Sequence, residues 1–553
     1  MDEHVIGIDF GTDSVRSVVV NATTGEEVAQ AVFDYPRWAE GLYCEPRETR
    51  FRHNPLDYVE GLEFTVKDAL GQCPRGVAQA VKGISAATTG STTGAVDRAG
   101  VSLGMRPGLE HNPNAMFVIW KDHTGVAEAE EINHAARTWG GEDFTKYEGG
   151  VYSAEWFWSK ILHVLRADEE VRGAAYSWVE LCDWIPALLT GNADALTIKR
   201  SRCAAGHKAM WHPSFGGLPP EEFLAGIDPL LAGVRANLYT ETLTSDKSSG
   251  LLCREWAERL GLRPDTVVGV GAFDAHMGAV GGGIVPYALT KVIGTSTCDI
   301  MVSPMKEMEG TLVRGICGQV EGSVIPGMLG MEAGQSAFGD VYAWFKQLLM
   351  WPLVSSRPAE GSELGGLVDK ISDRLMDRLI VEAGERPVGS SRVVALDWLN
   401  GRRTPDADQK LKGAIIGLSL GVDAPDIFKS LVEATAFGAK AIVERFILEG
   451  VPVKEVIALG GVPRRAPYIM QTLADVFGMP VKVAASEQTC ALGAAMFAAT
   501  AGGIYGDVRK AQQAMGCGFD MEFRPKPENS KRYAELYELY LRLSGFMESM
   551  KER

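Results

Sequence analysis

Val5-Ile6-Gly7-Ile8-Asp9-Phe10-Gly11-Thr12-Asp13-Ser14-Val15-Arg16-Ser17-Val18-Val19-Val20 reads as two β-branched, apolar strands joined by a turn of small and polar residues. The first strand runs from Val5 to Asp9 and the second from Val15 to Val20. The pattern returns about half a chain later. Thr290 to Ile293 is apolar, Gly294-Thr295-Ser296-Thr297 turns, and Cys298 to Val302 resumes a strand. Two similar hairpins point to a duplicated architecture. Further strands are expected over 81–86, 115–120, 267–270, 415–420 and 456–459. Helices are expected over 155–166, 183–189, 427–449, 466–477 and 491–499. Strands alternating with helices make an α/β chain. A boundary near Leu262-Arg263-Pro264 gives domains over 1–264 and 265–553. The tail from Pro527 to Glu552 has helical charge patterning and is expected to pack outside.

Composition narrows the function. The 553 residues suggest three or four units at about 150 residues each. Seventy-one acidic residues against 55 basic ones leave a net charge of −16, which disfavours a nucleic-acid partner. Small anions are not excluded, because backbone dipoles and magnesium hold them locally. Nine cysteines without a Cys-x-x-Cys pair read as reduced core thiols. The acidic start Met1-Asp2-Glu3-His4 lacks signal-peptide character. The uncharged stretch 488–506, rich in Ala and Gly, reads as a buried helix and not a membrane span. A soluble, cytoplasmic protein is expected.

Common nucleotide and metal motifs are absent. There is no Gly-Lys-Ser/Thr, hence no P-loop. Gly269-Val270-Gly271-Ala272-Phe273-Asp274 puts a carboxylate where a dinucleotide turn needs its third glycine. There is no His-Glu-x-x-His, and nine dispersed histidines suggest no metal cluster. At the first hairpin, Gly11, Thr12 and Ser14 are small enough for a polyphosphate to approach the backbone. Asp9 could hold hydrated magnesium and Arg16 could neutralise phosphate. A plain hairpin explains this element equally well; the second one, with Gly294 and Thr295, favours a nucleotide site. A third element, Leu459-Gly460-Gly461-Val462-Pro463-Arg464-Arg465, leaves a strand and enters a helix, where two glycines let a flat ligand lie on the backbone. An ordinary strand-to-helix turn would look the same.

Together these elements resemble the FGGY carbohydrate kinases of the actin-like ATPase superfamily. Longer stretches are similar to the L-ribulokinase group of that family: Val118-Ile119-Trp120-Lys121-Asp122-His123-Thr124, Phe273-Asp274-Ala275-His276-Met277-Gly278-Ala279, Met331-Glu332-Ala333-Gly334-Gln335-Ser336-Ala337 and Leu396 to Pro405. The resemblance implies two actin-like (ribonuclease H-like) domains flanking a deep cleft, sugar mostly on the first and ATP mostly on the second. It implies Asp274 as catalytic base, since a sugar hydroxyl is a poor nucleophile until a carboxylate takes its proton. It also implies Ser91, Trp120, Asp122, Lys208, Asp274 and Glu332 at the sugar, and Gly11, Thr12, Ser14, Arg16, Gly294, Thr295, Gly460, Gly461 and Arg464 at ATP, with Asp9 at Mg2+. Local sequence offers plainer roles: a helix cap for Asp274 or Glu332, core packing for Trp120, a solvated cation for Lys208. The implied activity is ATP-dependent phosphorylation of L-ribulose in L-arabinose breakdown. A kinase for D-ribulose or a pentitol, and an actin-like ATPase without a sugar, are the alternatives. Implied partners are sugar and ATP, without nucleic acid or membrane; a homodimer is left open.

Overall fold

A computed structural model describes residues 2–355 and 363–550. The chain forms two compact units, each assembled from separated segments. The first comprises the chain to Pro286 with Ile300–Glu332 and Gln488–Gly518; the second comprises Tyr287–Asp299, Ala333–Glu487 and the chain from Phe519. This division differs from the single cut at 264 expected from sequence. Helix Thr489–Ala501 explains much of the difference, because it packs on strands of the first unit.

In the first unit, strands β1 (His4–Phe10), β2 (Ser14–Asn21), β3 (Glu27–Asp34), β4 (Val81–Thr88), β5 (Ser248–Leu251) and β6 (Val267–Gly269) lie in the order β3-β2-β1-β4-β6-β5, with β7 (Ala272–Phe273) also on β4. β1, β6 and β7 run parallel to β4. Every residue of β1 is buried, as both faces of a covered strand must be. Ile6, Ile8, Phe10, Val15 and Val19 join Leu62 and Val66 of helix Pro55–Gln72 in one core. The opposite face receives helix Thr489–Ala501, the buried Ala-rich helix that the sequence suggested.

That helix touches helix Asp274–Gly281 backbone to backbone. A Cβ at Gly493 would sit 1.8 Å from the Met277 carbonyl oxygen. Gly493→Ala is therefore expected to cost about 1–3 kcal/mol through overpacking, read as a lower urea midpoint at constant slope. An unchanged midpoint would show that the helices part freely.

The second unit carries β8 (Ala288–Ile293), the start of β9 (Thr297–Pro304), and β12 (Glu455–Leu459), β13 (Val481–Ala484) and β14 (Phe519–Phe523). β10 (Gly318–Glu321) and β11 (Met328–Ala333) form an antiparallel hairpin between β9 and β12 in sequence. β8, β12 and β13 are parallel neighbours, and β14 closes that edge antiparallel.

Three local expectations need correction. The strand expected over 115–120 is only Phe117–Val118, because Pro113–Ala115 forms a 3-10 turn and the chain turns again where the Asp122 N–H meets the Ile119 carbonyl. The strand over 415–420 is only Ile415–Ile416, ended by Gly417 at φ +82°. The C-terminal helix Pro527–Met550 does not simply lie outside: Tyr533, Tyr537, Tyr540 and Leu543 form a buried stripe, and the Tyr540 hydroxyl donates to Asp397 at 3.0 Å. None of the nine cysteines is joined in a disulfide, but only Cys182, Cys203 and Cys317 are buried. Among the described residues no helix is long and apolar enough to cross a membrane.

Candidate active site

Parallel register gathers the first group of residues. Asp9 and Ala272 both pair with Ala87, and Phe10 and Phe273 both pair with Thr88. Asp9, the loop after β4 and Asp274 therefore leave the carboxyl ends of three adjacent strands, where open α/β sheets bind ligands. Asp274 is the first residue of its helix, but its carboxylate makes no capping bond; it accepts the adjacent Ala275 N–H at 2.6 Å. Burial pushes its pKa up to about 8, Asp9 and Glu332 add to the rise, and the Ala275 bond opposes it. Burial also raises Asp9 to about 6, against the pull of Arg16 at 3.8 Å. Oδ1 of Asp9 is buried without a hydrogen-bond partner. A hard oxygen donor left bare in this way fits hydrated magnesium.

The first hairpin tip is closed by the Gly11 N–H on the Ser14 carbonyl at 2.9 Å. The Trp120 indole N–H donates to Thr12 Oγ1 at 3.0 Å, so the Trp120 segment is tied to the first hairpin turn. Trp120 is only half-buried, which leaves more than core packing for its ring.

Lys208, the last residue of helix Arg202–Lys208, is buried and not a solvated cation. Its ammonium donates to Glu332 Oε1 at 2.7 Å and lies 4.9 Å from the Trp156 ring centre. Glu332 sits on β11 opposite Gly318, so it caps no helix. The pair sets a donor and an acceptor side by side, suited to polyol hydroxyls.

Other assigned residues are placed differently. Ser91 is buried and donates to Glu180, which also accepts the Thr92 N–H at 2.7 Å. Lys160 grips the same loop through the Ser91 carbonyl at 2.6 Å and reaches the Val118 carbonyl at 3.2 Å. The Ser91 hydroxyl thus holds the loop in shape. Asp122, assigned to the sugar site from the resemblance, is buried, pairs with Arg52 and accepts the Phe51 N–H at 2.7 Å and the Thr124 N–H at 3.1 Å. Lys160 and Glu180 escaped sequence reading, although a lysine inside the apolar run Trp156 to Leu165 was a usable signal. The sequence also gave no sign that His207 and His276 would meet. Both are buried, with Nδ1 and Nε2 respectively 3.6 Å and 3.7 Å from Glu332 Oε2. The fold thus brings together two histidines that are far apart in sequence, beside a carboxylate.

In the second unit, Val292 pairs with Leu459 in parallel. The turn Gly294–Ser296 and the Gly460-Gly461 pair consequently emerge side by side at one strand edge. The turn is backed by helix Gly339–Ser355, whose Asp340 N–H donates to the Thr295 carbonyl at 3.0 Å. Gly294, Thr295 and Gly461 are exposed, as a ligand-facing backbone requires. Arg464 donates to the Ala484 and Ala485 carbonyls and pairs with Asp520 at 2.7 Å, fastening the segment after Gly461.

The C-terminal domain model of the FGGY family of carbohydrate kinases matches residues 289–502. A ribulokinase of Vibrio parahaemolyticus is 48% identical over 550 residues, covering 100% of this chain and 97% of the relative. A ribulokinase of Shouchella clausii is 37% identical, covering 99% of this chain and 95% of its own length. Among solved structures, a xylulose kinase from Rhodospirillum rubrum superposes with a TM-score of 0.76 at 20% identity, covering 100% of both chains. A glycerol kinase of Plasmodium falciparum, solved with ADP, superposes at 0.73 and 15% identity, covering 98% of each. At such identities the structural likeness establishes the two-domain actin-like fold.

Proposed function

The chain belongs to the FGGY family of carbohydrate kinases, and from that premise we propose that it transfers the γ-phosphate of ATP to the terminal hydroxyl of L-ribulose, giving L-ribulose 5-phosphate and ADP. The observation that carries this reading is Asp274: a carboxylate with a raised pKa, at a strand end beside Asp9, in the same unit as the Lys208–Glu332 pair. Full-length relatives named ribulokinase support the choice of sugar.

In this reading Lys208 and Glu332 exchange part of their mutual bond for sugar hydroxyls, and the Trp120 ring lies against the carbon chain. Asp274 takes the proton of the attacking hydroxyl as its oxygen bonds to phosphorus; the bond to the ADP oxygen breaks. In the second unit the glycine-rich turns at Gly294–Thr295 and Gly460–Gly461 offer backbone suited to a nucleotide, and in the first unit the turn at Gly11–Thr12 offers backbone suited to phosphate. Asp9 would hold Mg2+, which when bound neutralises charge on the transferred group. Nine cysteines without a disulfide and a net charge of −16 suit a cytoplasmic enzyme.

The test is ADP release with a panel of ketopentoses and pentitols, with the position of the product phosphate read by NMR. L-Ribulose is expected to give the highest kcat/KM, with phosphate on O5. A strong preference for a D-sugar would overturn the stereochemical assignment. Full ADP release without any sugar would replace the kinase by an ATPase.

A further inference from the structure

His207, His276 and Glu332 come from three distant parts of the sequence and meet in the interior of the first unit. The Ser323 hydroxyl donates to the Val320 carbonyl at 3.1 Å, so its oxygen is left to accept from His207 Nε2–H at 3.0 Å. A neutral imidazole with its proton on Nε2 carries a lone pair on Nδ1. That lone pair faces Glu332 Oε2, another acceptor, with no donor between them. His276 is 1% exposed, and neither of its ring nitrogens has a hydrogen-bond partner. Two acceptors turned towards one another in a buried space call for a cation.

From this arrangement we propose that His207 Nδ1, His276 Nε2 and Glu332 Oε2 form a binding site for a divalent transition-metal ion of the zinc class. Ligand atoms about 2.1 Å from a shared ion stand roughly 3.4–3.6 Å apart at tetrahedral to trigonal angles. The observed separations of 3.6 Å and 3.7 Å from Oε2 lie close to that range, and the three residues offer ligand atoms within 4.8 Å of one another. Two imidazoles and a carboxylate are a donor set suited to zinc, whereas magnesium prefers oxygen alone. The outer contacts are already in place: Ser323 fixes the His207 tautomer, and Lys208 occupies Oε1, leaving Oε2 as the free ligand atom. Gly318 keeps the space beside His207 Nδ1 open, since a Cβ there would lie 2.5 Å from that nitrogen. Burial holds both imidazoles neutral, the form that ligates. The site does not depend on the identity of the sugar. Because the proposed function gives the Glu332 carboxylate to the sugar, an ion on Oε2 and the sugar share one carboxylate.

The experiment is titration of the metal-stripped, tag-free full chain with Zn2+, followed by calorimetry, and with Co2+, followed by its visible absorption. One equivalent is expected to bind, with the intense spectrum of low-coordinate Co2+. His276→Gln and His207→Gln are each expected to weaken binding at least tenfold while thermal unfolding stays cooperative. Absence of stoichiometric binding to the wild-type chain would overturn the proposal. So would unchanged affinity in both variants, which would place the ion elsewhere. Neither result bears on ribulose phosphorylation, which is measured separately.

Discussion

Asp274→Asn is expected to bind ribulose within a few-fold of wild-type affinity and to lose about 10²–10⁴-fold in kcat, the usual contribution of a general base. Asparagine has nearly the same shape and can still accept the Ala275 N–H at the position held by Oδ1. Folding should therefore survive, and removing a carboxylate that Asp9 and Glu332 repel costs no stability. What disappears is the proton acceptor. Calorimetry with sugar separates binding from turnover, and near-normal turnover would end the assignment. The pH profile supplies a second readout. The working form is the deprotonated carboxylate, and its pKa in the free protein is raised to about 8. Activity is therefore gained on the alkaline side: kcat/KM should fall about tenfold per unit as pH drops below that value. The residual activity of the asparagine variant should lack this limb.

The largest loss of stability is expected from Asp299→Ala. Lys291 on β8 is 1% exposed, and its ammonium donates to the two oxygens of Asp299 at 2.9 Å and 2.7 Å and to Thr297 Oγ1 at 3.1 Å. These contacts join the two legs of the hairpin that carries Gly294–Ser296. Removing one partner strands a buried charge, at a cost of about 3–5 kcal/mol. The double variant Lys291→Met, Asp299→Leu removes both charges together and should recover most of that loss. Urea midpoints at constant slope measure both. A single-variant loss below about 1 kcal/mol would show that water reaches the pair. The same variant should raise the KM for ATP, because Thr297 Oγ1 also accepts the Gln335 N–H at 3.0 Å and the turn loses its support.

Some of the molecule was legible without coordinates. The hairpins at Phe10–Ser14 and Ile293–Thr297, the buried Ala-rich helix near the C-terminus and the position of Asp274 at a strand end rest on local pattern: β-branched runs, small residues at turns, an apolar stretch broken by Gly502-Gly503. Such signals act over a few residues, and the fold agrees with them. The tail helix misled because its buried tyrosine stripe is sparse among charges; its docking depends on Phe437 and Asp397, far away in sequence.

Contacts between remote segments were of another kind. That Asp122 serves Arg52, that Arg464 serves the Ala484–Ala485 carbonyls, and that Lys160 and Glu180 hold the Ser91 loop all follow from packing, because a buried charge takes whichever partner the fold brings within reach. The same holds for His207, His276 and Glu332. A linear chain announces the character of each side chain and its nearest turn; which lone pairs end up facing one another, dry and unpaired, is a property of three-dimensional arrangement, since desolvation and hydrogen bonding act through space and not along the backbone.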